Sequence, residues 1–310
     1  MKIAVSKLII LLIFIPSTSM NSQDQQQEID SLVALLNKAG REWNDYSIPL
    51  IEIGDPAVPS LVEAVKDRSL EQWNRRIAVM TLNSIHSPLW VQPALDILLD
   101  PAEDPVLRNQ VTAGLRGFRL EEVKDELWEL FEREKNEFHK SNLANLLVTA
   151  DTSLAYKAFK ELYIAYDAHI QINALTKLVS IRPGESTVWF MKAIQDDNWM
   201  TSNSAMDSLI TSDHFDAAKL LETYNEPGTG EEVRWRIVFV FGHRDEPGSI
   251  PLLAKALQDE SWLVHTEATV GLSRFEAGKV IPQIEMLKGD RRKYIRNNVE
   301  WLLKKFKDKN

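Results

Sequence analysis

Ile53-Gly54-Asp55-Pro56-Ala57-Val58-Pro59-Ser60-Leu61-Val62-Glu63-Ala64-Val65-Lys66-Asp67 reads as a turn feeding a short amphipathic helix. Glycine closes one helix and proline opens the next, since first-turn N–H groups lack intrahelical partners and proline loses nothing there. The same grammar returns from Gly242 to Asp259, with Gly242 ending one helix and Pro251 starting the next. On this reading Pro59, Pro93, Pro251 and Pro282 each mark the start of a helix.

Working outward, the turn proves to be one beat of a period. The last strongly apolar residues of successive second helices are Leu82, Leu115, Leu147, Leu178, Leu209, Phe241, Leu272 and Leu303, separated by 33, 32, 31, 31, 32, 31 and 31 residues. Four residues before these anchors stand Ala78, Val111, Leu143, Ala174, Ala205, Ile237, Ala268 and Val299, all small or apolar. Residues i and i+4 share a helix face, so each unit offers the same two-residue stripe to its neighbours. Self-similarity at this period is the signature of stacked helical hairpins, none of which buries its apolar face alone.

Seven residues before the anchors lie Arg75, Arg108, Lys140, Gln171, Ser202, Arg234, His265 and Arg296. Acidic residues such as Asp104, Asp259 and Asp290 precede several second helices. The expectation is a structural ladder of Asp–Arg contacts between repeats, because an arginine fork can join two carboxylates or carbonyls at once. Trp73, Trp199 and Trp262 occupy the start of the second helix and are expected to form packing lids between the two helices of a unit.

These residues together resemble the HEAT repeat, in the version with a Gly-Asp-Pro turn, a proline opening the first helix and a Val-Arg start to the second. Ile53 to Asp67, Val233-Arg234, Ile295-Arg296 and Asp259 to Leu272 match best. The resemblance covers roughly Glu28 to Phe306 and implies an all-α, right-handed α-α superhelix of about eight helical pairs plus a partial N-terminal one. Glu121 to Ser212 departs from the pattern: it lacks the Gly-Asp-Pro turn and the helix-opening proline, so local irregularity is expected there.

Ahead of the repeats, Lys2 and Lys7 flank the start of an apolar run, Leu8 to Ile15, followed by Pro16 and Ser17-Thr18-Ser19. That layout reads as an export signal, residues 1–19. The run is too short for the roughly 20 apolar residues that cross a bilayer, so no stable membrane insertion is expected after cleavage. Residues 20–27, polar and glutamine-rich, read as a flexible leader to a repeat region at 28–310. With 36 Lys+Arg against 45 Asp+Glu the net charge is −9, unsuited to a general phosphate-backbone binder, so nucleic acid is not an expected partner. The chain has no cysteine and no Asn-x-Ser/Thr site, which fits a bacterial periplasmic or secreted protein that relies on core burial and no disulfide. Its end is different: from Lys288 to Lys309 nine Lys and Arg face only Asp290, Glu300 and Asp308.

No catalytic constellation emerges. His-Glu-x-x-His and Gly-x-Ser-x-Gly are absent, and Gly228-Thr229-Gly230 lacks the preceding strand of a phosphate loop. His265-Thr266-Glu267 resembles the adjacent His-Glu pairs of the HEAT-type di-iron hydroxylase that acts on deoxyhypusine, yet no adjacent His-Glu pair exists here. No cofactor or metal is therefore expected. Five before the anchors runs a polar row, Gln110, Asn142, Asn173, Ser204 and Asn298. It borders the buried stripe at about 100° per residue, and the armadillo cousins of this fold hold an extended peptide with such asparagines. The expectation is a non-enzymatic, monomeric, exported scaffold for a protein or peptide, with Gln110, Asn142, Asn173 and Asn298 as the candidate surface. The alternative from another class is an enzyme or lyase built on the same array with a site in its concave groove.

Overall fold

The computed structural model describes residues 22–309 apart from 166, 214 and 247. The expected export signal, residues 1–19, lies outside them. The described residues are helical, with no strand among them, and fall into two compact units, the chain passing from one to the other between Phe118 and Arg119.

The first unit holds α1 (Ser22–Leu36), α2 (Asn44–Ile53), α3 (Val58–Lys66), α4 (Gln72–Ile85), α5 (Val91–Leu99) and α6 (Pro105–Leu115). The second holds α7 (Lys124–Arg133), α8 (Glu137–Ala150), α9 (Thr152–Ala165), α10 (Ala168–Ile181), α11 (Ser186–Ile194) and α12 (Trp199–Thr211). It continues with α13 (Ala217–Asn225), α14 (Glu231–Gly242), α15 (Ser249–Ala256), α16 (Trp262–Leu272), α17 (Ala277–Ile284) and α18 (Lys293–Lys309). Odd-numbered and even-numbered helices alternate as the first and second members of helical pairs. Second helices pack on second helices in chain order, α2 on α4 on α6 in one unit and α8 through α18 in the other.

The apolar stripe read from the sequence is the core of this stack. All eight residues at the position four before the anchor are buried, from Ala78 to Val299, and seven anchors from Leu82 to Leu272 are buried as well. Leu303 is the exception and is half-exposed, while Leu302 and Phe306 carry the burial instead. The reason is topological: among the described residues no helix follows α18, so only one of its faces has a neighbour.

Proline placement holds with one correction. Pro59, Pro93 and Pro251 lie in the first turns of α3, α5 and α15. Pro282 sits inside α17, where its missing N–H withholds the bond that the Gly278 carbonyl would otherwise receive, and α17 passes at Glu285 into a 3-10 turn. A second correction concerns the N-terminus. α1 starts at Ser22, six residues before the expected first structured residue, and Gln26 donates to Asp30 (2.8 Å) and to Ser60 of α3 (3.1 Å). Glutamine is a good helix former, and one tertiary bond suffices to extend a helix whose interior is already packed. The irregular middle is visible in the link between α8 and α9, which consists of Asp151 alone, capping α9 through the N–H groups of Ser153 and Leu154.

Two close approaches fix helix spacing. Gly242 of α14 and Gly271 of α16 face each other so closely that a Cβ on either would lie 3.0 Å from the other's Cα. In the first unit a Cβ on Gly114 would fall 2.0 Å from Asn83 Oδ1, the atom that accepts the indole N–H of fully buried Trp90 at 2.9 Å. Glycine is required at both places by space and not by φ.

The polar ladder exists but with a different set of partners from the one expected. Arg75 forks onto Glu103 (3.0 and 2.6 Å) and donates from Nε to the Val65 carbonyl, whereas Asp104 caps α6 through Leu107 N–H. Arg234 binds Asp259 through two bonds, 2.8 and 3.1 Å, as expected. Lys140 reaches Glu161 at 2.6 Å, and Gln171 accepts from Thr201 at 2.9 Å. Asp290 is held by its near neighbour Arg292, while Arg296 donates to the Asp290 carbonyl. A further device is an arginine just after a second helix that caps the helix one repeat earlier. Arg244 Nη1 donates to the carbonyls of Leu209, Ile210 and Ser212 at the end of α12, and Arg274 reaches Gly242 at the end of α14. A cation at a helix C-terminus both satisfies orphan carbonyls and opposes the negative end of the dipole.

Candidate functional site

The four residues of the amide row are half-buried, and three of them bond the preceding second helix. Gln110 exchanges bonds with Arg76 of α4, its Nε2 donating to the Arg76 carbonyl (3.2 Å) and its Oε1 accepting from the guanidinium (3.4 Å). Asn173 donates to Ser141 of α8 at 3.1 Å, and Asn298 meets His265 of α16 at 3.1 Å. Asn142 is half-buried and also engaged. These residues border the buried stripe as the 100° spacing requires, and Gln110, Asn173 and Asn298 each tie their helix to the preceding second helix of the same unit.

His265, the histidine of the His-Thr-Glu triplet, is buried, with its ring stacked on Tyr294 at 4.6 Å; desolvation lowers its pKa and favours the neutral imidazole. Among the described residues no group of three or more His, Asp or Glu side chains is placed to hold a metal ion. Burial likewise pushes the Tyr163 hydroxyl up to about 12.

The exposed feature of the stack is aromatic. Trp199 and Trp262 are the first residues of α12 and α16 and are 67% and 71% exposed; Phe138, second in α8, is 67% exposed. In the first unit Trp73, second in α4, is 45% exposed. This corrects the expectation of packing lids at Trp73, Trp199 and Trp262. The physical reason is directional: Cα–Cβ bonds tilt towards the helix N-terminus, so a first-turn side chain projects past the end of its own helix. Only a short link lies there, and nothing covers the ring. Regular spacing alone does not separate a repeated core position from a repeated surface position. By contrast, Trp90 and Trp189, which have no repeat-locked spacing, are buried and bonded, Trp90 to Asn83 and Trp189 to Tyr156.

Phe138, Trp199 and Trp262 stand on alternate members of one row of second helices. α8 and α12 both contact α10, and α12 and α16 both contact α14. Neighbouring helix axes lie about 8–10 Å apart, which sets the aromatic side chains at intervals of roughly 20 Å. Carboxylates accompany them: Glu137 precedes Phe138, Asp197 lies two before Trp199, and Glu260 two before Trp262. Asp197 and Glu260 are exposed and Glu137 is half-buried, and none of the three has a hydrogen bond or ion pair among the described residues.

Residues 220–304 match the family model described as HEAT repeats. The chain is a helical-repeat solenoid. A comparison of this solenoid with curated proteins returns no match. Among solved structures it is similar to human deoxyhypusine hydroxylase in complex with glycerol, at 16% identity and a TM-score of 0.35 over 93% of this chain and 98% of that one. It is also similar to the E. coli protein YibA, at 12% identity and a TM-score of 0.46 over 87% and 97%. A designed armadillo repeat protein in complex with the peptide (KR)4 aligns at 15% identity and a TM-score of 0.19 over 80% and 99%.

Proposed function

We propose that this solenoid is a non-catalytic docking protein whose partner, a protein or peptide, is gripped by aromatic side chains at the starts of the second helices. The observation that carries this reading is the recurrence of large exposed aromatic residues in the first turn of second helices, Phe138, Trp199 and Trp262 in the second unit and Trp73 in the first. Solvent-exposed tryptophan is unfavourable for a free protein, and tryptophan dominates binding hot spots when a partner desolvates it. Within the second unit the packed second helices hold Phe138, Trp199 and Trp262 at set intervals, so little ordering entropy is lost on binding.

Replacing both Trp199 and Trp262 with alanine is expected to reduce capture of the native partner at least tenfold, since each desolvated anchor contributes about 2 kcal/mol or more. The unfolding midpoint should stay within a few degrees, because neither side chain supports the core. Affinity capture with quantitative mass spectrometry, paired with calorimetry of the same variant, tests both halves. Retained capture would refute the reading.

We place the mature protein outside the cytoplasm, on the strength of the Lys2 to Ser19 segment. Among the described residues no helix is long and apolar enough to cross a membrane. Intact-mass measurement of the protein purified from its native compartment should give a chain starting at Met20. A chain retaining Lys2 and Lys7 would overturn the assignment.

A further inference from the structure

We infer that the partner segment is an extended cationic polypeptide, with lysine or arginine side chains seated on the carboxylate–aromatic pairs Glu137/Phe138, Asp197/Trp199 and Glu260/Trp262 of the second unit. This inference rests on the docking role proposed above and adds the chemistry of the occupant.

The charge of this edge is one-sided. In the links that lead into α8, α10, α12, α14 and α16 the only cation is Lys135, and every link carries acid: Glu134, Asp167, Asp197, Glu226 and Glu260 among others. Acidic residues at helix starts can serve as caps or offset the helix dipole. At α8 and α12 the caps are already supplied: Asn136 binds the Phe138 and His139 N–H groups, and Asn198 binds that of Met200; α16 has no side-chain cap, and Glu260 does not serve as one. The helix dipole amounts to about half a positive charge. The link before α12 holds both Asp196 and Asp197, and the link before α16 keeps Glu260 unpaired after Asp259 is taken by Arg234. A negative surplus therefore remains beside each exposed ring.

A carboxylate next to an open aromatic face is a receptor for an alkylammonium or guanidinium group. The acid supplies Coulombic attraction, and the ring supplies cation–π attraction and cover for the aliphatic stem. The fold already uses the second half of this chemistry internally: Lys157 Nζ lies 4.2 Å from the Trp128 ring centre, and Lys305 Nζ lies 4.7 Å from that of Trp301. Trp199 and Trp262 have no such cation in the structure. Intervals of roughly 20 Å correspond to about six residues of extended chain at 3.3 Å each. The predicted occupant thus carries a basic residue at about every sixth position.

A fluorescein-labelled synthetic peptide with lysine at every sixth position and Gly/Ser between tests this by anisotropy on the full mature chain, with the same peptide bearing glutamate for lysine as control. The lysine peptide should bind at low salt and weaken as salt rises, as expected for partly exposed charge pairs. Asp197→Asn with Glu260→Gln should weaken binding at least fivefold, and Trp199→Ala with Trp262→Ala at least tenfold. Equal binding of the glutamate peptide, no binding of the lysine peptide, or a change under twofold in both variants would overturn the inference. Should the lysine peptide fail while the tryptophan variant still loses its native partner, the docking role stands and the cationic partner is wrong. Concentration-dependent self-association abolished by the Asp197/Glu260 variant would also overturn it, assigning the edge to the basic α18 of a second copy.

Discussion

Ala205→Asp is expected to unfold the middle of the second unit. Ala205 lies in α12 four residues before Leu209, has no accessible surface, and belongs to the stripe on which α10 and α14 pack. An aspartate there must either ionise without a partner in a low-dielectric interior or hold a proton against its normal affinity, and its extra atoms have no room. The expected loss is above about 4 kcal/mol, in the range reserved for buried charges and severe overpacking. Because stacked repeats share one core, the damage should appear as lost amide protection across α10, α12 and α14 together. Hydrogen exchange with mass spectrometry reads this directly. The penalty should shrink as pH falls and the buried carboxyl is neutralised. Local protection equal to that of the parent would mean that the stripe is not the shared core.

Glu103→Ala should be the most damaging polar substitution in the first unit. Glu103 and Arg75 are both buried, joined by two bonds, and Arg75 Nε is committed to the Val65 carbonyl. Removing the carboxylate leaves a guanidinium inside the stack without its counter-charge, a loss of about 3–5 kcal/mol for a buried pair. The Arg75 fork, with the Asp104 N–H, holds the Glu103 carboxyl below its usual pKa against an opposing desolvation effect. A lowered folded-state pKa means that the pair's contribution is complete above the ordinary carboxylate range. It is then lost as pH falls through the lowered value. The stability gap between the parent and Glu103→Ala in urea titrations should therefore be widest near pH 7 and narrow below about pH 4. A gap constant from pH 7 to pH 3 would show that the ion pair contributes little.

The polar connections show how much repeat proteins vary below a constant frame. The position seven before the anchor carries Arg75, Lys140, Gln171 and Arg234, and each finds a different partner one repeat on: Glu103, Glu161, Thr201 and Asp259. Long flexible side chains accept any polar group within reach, so this position conserves a role without conserving a residue type or partner. Arg244 and Arg274, in the turns after α14 and α16, do comparable work by capping earlier helices.

The sequence by itself determined the helical pairs and their core. Apolar residues four apart at a period near 32 can be buried in only one way, against equivalent residues of the units on either side, and the burial of Ala78, Ala205 and Val299 follows from that pattern. The tertiary structure alone decided which recurring polar and aromatic residues remain available. Asn173 and Trp199 are equally regular in the chain, yet Asn173 lies where the preceding helix passes and is bonded to Ser141, while Trp199 points beyond the end of α12 and stays open. Periodicity fixes the angle of a side chain around its own helix; whether another element occupies the space in that direction is settled only when the helices are stacked.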